Sequence, residues 1–71
     1  MEFKDRLREL RHEHKVSQAE LGVVMGRGWT YVSRLESGDI SPVLSDLVKL
    51  RDLFEVSMAY LIGESDQRED K

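Results

Sequence analysis

Apolar residues along this chain fall into short stripes of helical period, separated by glycine, serine and proline. Phe3, Leu7 and Leu10 stand at i, i+4 and i+7 and line one face of a helix from about Glu2 to Glu13, with charged residues on the other faces. Ser17-Gln18-Ala19-Glu20 has the S-x-x-E form of a capping box: the serine oxygen accepts from the N–H of Glu20, and the Glu20 carboxylate accepts from the N–H of Ser17. A second helix is predicted to start there, with Leu21 and Met25 inward and Gly26 as the stop. Gly28 or Thr30 opens a third helix that runs to about Ser37, with Val32 and Leu35 inward and Gly38 as its cap. Ser41-Pro42 predicts the start of a fourth, whose apolar face is broad: Leu44, Leu47, Val48, Leu50, Leu53 and Phe54. After a break at Val56-Ser57, Met58 to Ile62 form a brief fifth helix ended by Gly63. No two-residue alternation and no internal repeat occurs, so the chain is expected to be an all-α domain of five short helices. The expected domain spans residues 1–63; residues 64–71 contain no apolar side chain and are expected to form a flexible acidic tail.

Composition narrows the function. Seventy-one residues make one domain at most, with a thin margin of stability. The absence of cysteine excludes disulfides and thiolate metal sites. No apolar run approaches the roughly 18–20 residues of a membrane span. The first residues, Met1 to Asp5, lack the apolar region of a signal peptide, so a soluble cytoplasmic protein without a membrane partner is expected. The formal net charge is −3, which at first sight disfavours a nucleic-acid partner. Its distribution softens that objection. Residues 1–40 carry seven cations and seven anions, and the whole deficit lies in residues 41–71, with four cations against seven anions. Catalytic chemistry finds no foothold. His12 and His14 are two apart on a helix and point to different faces, so they cannot share a metal. Glu69 and Asp70 pair only in the tail. No enzyme activity, metal or cofactor is expected.

The informative segment runs from Val16 to Gly38. Two short helices joined by a glycine-bearing turn, Gly26-Arg27-Gly28, describe a helix-turn-helix. The surrounding residues make the pattern specific: Leu10-Arg11, Val16 to Gly22 (VSQAELG), Met25-Gly26, Val32 to Gly38 (VSRLESG), Pro42, Val56-Ser57 and Leu61. In these positions the chain resembles the phage repressor and Cro-type, or XRE-like, helix-turn-helix family, over about residues 5–63.

The resemblance implies a compact five-helix, lambda-repressor-like DNA-binding domain. It belongs to a transcriptional regulator expected to act as a repressor, and the partner is double-stranded DNA. The recognition helix, about residues 28–37, enters the major groove. Trp29, Thr30, Ser33 and Arg34 then face the bases, with Arg34 able to fork onto guanine O6 and N7. For Trp29 two roles stay open: packing on thymine methyls or sugars, or covering the turn as a half-buried hydrophobe. Gln18, Arg27 and Tyr31 are the phosphate candidates, with ring packing at the domain edge as the other reading of Tyr31. Arg11 and Glu36 match a family ion pair joining the first helix to the end of the third, against the plainer reading of two surface charges. Gly22 stands where the family holds a small residue for close helix crossing. A homodimer on a palindromic operator is expected, built on the fifth helix, with Leu61 inward and Met58, Tyr60 and Ile62 as the contact.

Two departures from the family pattern matter. Gly38 to Pro42 holds no cation where relatives place one, and Asp39 adds an anion. Val23 and Val24 occupy positions that are usually polar, as an apolar patch or as isolated surface valines. They favour the rival reading, the same fold used as a protein–protein module of antitoxin-like or coupling type.

Overall fold

The structure is a computed structural model that describes residues 1–68. Its elements are α1 (Phe3–Glu13), α2 (Gln18–Met25), α3 (Trp29–Ser37), α4 (Leu44–Phe54) and α5 (Met58–Leu61), with no strand among the described residues. The stripes read from sequence converge as expected: Leu7, Leu10, Leu21, Val32, Leu50 and Leu61 are all fully buried in one cluster. Burying an aliphatic side chain contributes about 1.5–3 kcal/mol, which is what holds such short helices in place.

The ends of the helices follow local chemistry. The capping box of α2 is formed, with Glu20 N–H donating to Ser17 Oγ and Ser17 N–H donating to a Glu20 carboxylate oxygen, each at 3.0 Å. Gly26 closes α2 in the left-handed region at φ 72°. Lys15 after α1 and Glu55 after α4 also take left-handed backbone, each at φ 55°, although neither is glycine. Periodicity carries no signal for such positions; the tight reversals are imposed by helix packing.

Three expectations need correction. Helix α4 begins at Leu44 rather than at Ser41-Pro42. Residues 41–43 form no regular element and Val43 is extended, while Ile40 and Pro42 are half-buried and border a small hollow with Phe3 and Leu35. The inner row of α4 is Asp46, Leu50 and Phe54, while Leu44 is 71% exposed and Leu53 also faces outward. The acidic tail is also not free over residues 64–68. Ser57 Oγ–H donates to the Gln67 carbonyl at 3.0 Å and Ser57 N–H to the Arg68 carbonyl. Arg68 forks onto both carboxylate oxygens of Glu13 at 2.5 and 2.6 Å. Residues 69–71, with the Glu69-Asp70 pair, lie outside the described residues.

Tyr60 is the third correction. It is only 4% exposed, with its hydroxyl donating to Glu9 at 3.0 Å and the Arg6 guanidinium stacked 3.6 Å above its ring. It belongs to the core and is not free to form a dimer contact, whereas Met58 and Ile62 are half-buried. Arg6 is itself buried, which its place among charged residues did not suggest; its guanidinium reaches Asp66 at 3.4 Å.

Candidate nucleic-acid interface

Helix α3 buries Val32, Leu35 and Glu36 and turns the opposite face outward. That face carries Trp29, 57% exposed, with Thr30 and Arg34 exposed and Ser33 half-buried. These four side chains, the ones assigned to base contact from sequence, line a single open hollow of about 390 Å³ with mainly apolar walls. Trp29 is thus more than half exposed on this face. Arg34 Nε lies 3.4 Å from an Asp39 carboxylate oxygen, and both side chains are largely exposed. The N-cap of α3 is Gly28, whose missing side chain leaves the first turn uncapped, and no acidic residue occupies that turn.

The tilt of α3 is set by its buried end. Arg11 forms a two-pronged pair with Glu36, Nε to Oε2 at 2.5 Å and Nη2 to Oε1 at 2.9 Å. The Glu36 side chain is 2% exposed. Three further groups converge there. Arg8 donates to the Glu36 carbonyl at 2.9 Å, Gln18 Nε2 donates to Oε1 at 3.3 Å, and Arg11 Nη1 donates to the Val16 carbonyl at 3.0 Å. One carboxylate thus ties α1, α2 and α3 together. The hydrogen bonds it donates to Glu36 hold the Arg11 guanidinium above its ordinary pKa.

The close approach of α2 to the turn depends on Gly22. A Cβ there would lie 2.9 Å from the Arg27 carbonyl oxygen and 2.9 Å from the Gly28 carbonyl carbon. The neighbouring backbone is pinned by Arg27 N–H donating to the Gly22 carbonyl at 2.7 Å. So Gly22 meets the turn backbone rather than α3 itself.

The phosphate candidates divide. Arg27 is exposed, its guanidinium resting 4.3 Å above the Tyr31 ring. Tyr31 is not a contact of its own: its hydroxyl donates to the buried Asp46 carboxylate, which pushes the phenol above its ordinary pKa. With its proton committed and an anion behind it, Tyr31 cannot favour a phosphate. It serves as a platform for Arg27. Gln18 is half-buried with its amide turned to Glu36, and one N–H of that amide remains. The capping box also uses the N–H groups of Ser17 and Glu20, leaving those of Gln18 and Ala19 without helical partners.

Lys4 is a residue that sequence reasoning missed. Its stem passes Gly38, with Nζ 3.7 Å from where a Gly38 Cβ would stand. The loop after α3 lacks a cation of its own, and α1 brings Lys4 beside it, with Nζ also 3.9 Å from a Glu2 carboxylate oxygen. Only long-range packing reveals this, since 34 positions separate the two residues. The histidines are engaged structurally: His14 Nδ1 bonds the Leu10 carbonyl at 2.9 Å with its ring 4.9 Å from that of Phe54, and His12 lies 3.2 Å from Arg11.

Two helices meeting across a glycine turn, the second with its outer face open, define a helix-turn-helix unit inside a five-helix all-α domain of the lambda-repressor type. The chain belongs to the helix-turn-helix domain family, whose model matches residues 2–60. It is 33% identical over 66 residues to the uncharacterized HTH-type transcriptional regulator YobD of Bacillus subtilis, covering 93% of this chain and 59% of that protein. It is 33% identical over 63 residues to the cryptic phage CTXphi transcriptional repressor RstR of Vibrio cholerae, covering 89% of this chain and 56% of that one. The chain thus spans a little over half the length of these relatives. Among solved structures, the P22 c2 repressor in complex with the synthetic operator 9T in the presence of Tl+ superposes with a TM-score of 0.83 at 26% identity, over 92% of this chain and 98% of that one. A transcriptional regulator from Listeria innocua shares the fold, with a TM-score of 0.86 at 21% identity over 99% of this chain and 65% of that one. No helix among the described residues is long and apolar enough to cross a membrane.

Proposed function

We propose that this chain is a sequence-specific, DNA-binding transcriptional repressor that acts in the cytoplasm as a homodimer on a palindromic operator. The observation that carries the reading is the convergence of Trp29, Thr30, Ser33 and Arg34 on one outward hollow of α3, on a helix whose tilt Glu36 fixes from behind. The naming of RstR and the P22 c2 protein as repressors, the latter bound to an operator, supports it.

In this reading α3 lies in the major groove with its N-terminal end leading. Arg34 presents its guanidinium to a guanine, the commonest specific contact. Arg27, the free N–H groups of Gln18 and Ala19, and Lys4 flank the groove as phosphate contacts. With so few cations the backbone term is small. A dimer engaging about four phosphates would lose affinity with log salt at a slope of about −4, far shallower than strongly basic repressors show. One α3 spans too few base pairs to find a genomic site, so two half-sites about 34 Å apart are needed. Met58 on α5 and Ile62 just after it, both half-buried, are left for the dimer contact.

Selection of bound sites from a random duplex pool tests the proposal. A palindromic consensus is the expected result. Arg34→Ala then loses discrimination at one or two positions by about 1–3 kcal/mol, while Arg27→Ala weakens all sequences alike. No enrichment over the starting pool, or uniform weakening by Arg34→Ala, overturns the assignment.

A second reading has an observation of its own. Val23 is 78% exposed and Val24 55%, an apolar surface on α2 that suits a protein partner of an antitoxin-like or coupling module. Failure of the selection together with a negative potential over Gln18, Trp29 and Arg34 favours that reading.

A further inference from the structure

We infer that Trp29 is a specificity-determining residue that reads the C5-methyl group of a thymine in the major groove. This rests on the DNA-binding reading above and names the base chemistry that the same site takes.

The argument begins with what Trp29 does not do. It is the first residue of α3, it is 57% exposed, and it is absent from the core and from the residues packed against it. An indole more than half exposed at the leading end of a helix is not accounted for by the core. It shares the hollow with Thr30, Ser33 and Arg34, whose walls are mainly apolar. A base-pair edge offers one methyl group in the major groove, the thymine C5-methyl; the other groups that distinguish the bases there are hydrogen-bond donors or acceptors. The indole face has nothing to offer those polar atoms, and its N–H can only donate. The Thr30 methyl, next along the helix, extends the same apolar surface.

The second constraint is spacing. Arg34 is the polar end of the hollow, its Nε 3.4 Å from Asp39. Trp29 and Arg34 are five residues apart, a rise of about 7.5 Å along a helix. That equals about two base-pair steps at roughly 3.4 Å each. The half-site therefore carries a thymine within about two steps of the guanine that Arg34 contacts. The methyl is the recognised group, so 5-methylcytosine, which carries it at the same ring position, is a second source of the same chemistry.

The test uses the duplex recovered by selection, with each thymine replaced singly by uracil, which deletes only the methyl. Binding is followed by fluorescence anisotropy. One thymine in each half-site is expected to show a three- to fivefold loss on replacement, about the worth of one buried methyl group. In Trp29→Ala that position binds thymine and uracil duplexes within about 1.5-fold of each other, whereas Trp29→Phe keeps a measurable preference and Gln18→Ala keeps the full ratio. Circular dichroism melts verify folding; Trp29→Gln serves as a second variant with the same expectation. Placing 5-methylcytosine and cytosine at that position should reproduce the methyl preference.

Tight binding of the selected duplex with no thymine sensitive to replacement overturns the inference and leaves the DNA reading intact. The same holds if the sensitivity persists undiminished in Trp29→Ala and Trp29→Gln, or if 5-methylcytosine gains nothing over cytosine. Failure to bind any duplex overturns both.

Discussion

Removing Arg11 should damage this domain more than removing Arg11 and Glu36 together. The Glu36 carboxylate is 2% exposed and is bonded through both oxygens by Arg11 at 2.5 and 2.9 Å. Breaking a buried pair by deleting one partner costs about 3–5 kcal/mol, because the other charge is left without compensation. The local geometry sets where in that range Arg11→Met falls. Gln18 Nε2 at 3.3 Å and Arg8 Nε at 3.7 Å remain beside the stranded carboxylate, which places the loss near the lower end, about 3 kcal/mol. Glu36→Leu strands the guanidinium instead, and that group is less enclosed: its side chain is 13% exposed and keeps its bond to the Val16 carbonyl. About 1–2 kcal/mol is expected there. The double variant leaves no buried charge and should cost only about 1 kcal/mol, chiefly the lost Val16 bond. The coupling from the cycle is then about 3 kcal/mol.

Urea unfolding of the four proteins, followed by far-ultraviolet circular dichroism, measures it. A domain of this length has about 4–10 kcal/mol in total, so Arg11→Met remains measurable or sits near its midpoint in water. If it is unfolded, Arg11→Lys keeps the charge and removes the fork, and takes its place in the cycle. Additivity of the single losses to within about 0.5 kcal/mol refutes the pairing as an energetic unit.

Gly22→Ala should destabilise by about 1–2 kcal/mol: helix propensity gains about 1 kcal/mol, but a Cβ at 2.9 Å from turn backbone costs more. A gain in urea midpoint would refute the close approach. Tyr31→Phe leaves the buried Asp46 without its donor and should cost about 1–3 kcal/mol in stability, while operator affinity and its salt slope stay unchanged. An equal loss of affinity for all sequences would return Tyr31 to the phosphate contacts. The Ser17 backbone and side-chain hydrogen bonds hold the Glu20 carboxyl below its ordinary 4.5. That contribution is present above pH 4.5 and is lost as pH falls through the lowered value, so Glu20→Gln should show a flatter acid loss of melting temperature than the unmodified chain. Equal slopes in the two proteins would show that the capping box carries no charge-dependent stability.

Local pattern settled much of this protein. The stripe Phe3-Leu7-Leu10, the capping box at Ser17-Glu20 and the caps at Gly26 and Gly38 are each decided within one helical turn, by side-chain spacing and by backbone conformations that glycine adopts freely. Those signals sufficed to place α1, α2, α3 and α5 within a residue or two, and the motif VSRLESG placed the outward face of α3 before any packing was known. The start of α4 was not legible, because Ser41-Pro42 suits either a helix start or an extended run; in the structure Ile40 and Pro42 border a hollow with Phe3.

What tertiary structure alone decided is which polar groups are taken out of water. Arg6 and Tyr60 read as surface residues by pattern, yet they stack on each other under residues 64–68. Asp46 reads as an ordinary first-turn acid, yet it is buried and claims the hydroxyl of Tyr31. Lys4 reads as a charge of α1, yet it lies along Gly38 after α3. In every case the partner is distant in sequence. Helical period fixes a side chain's direction from its own axis, and nothing in that period records which other axis it will meet.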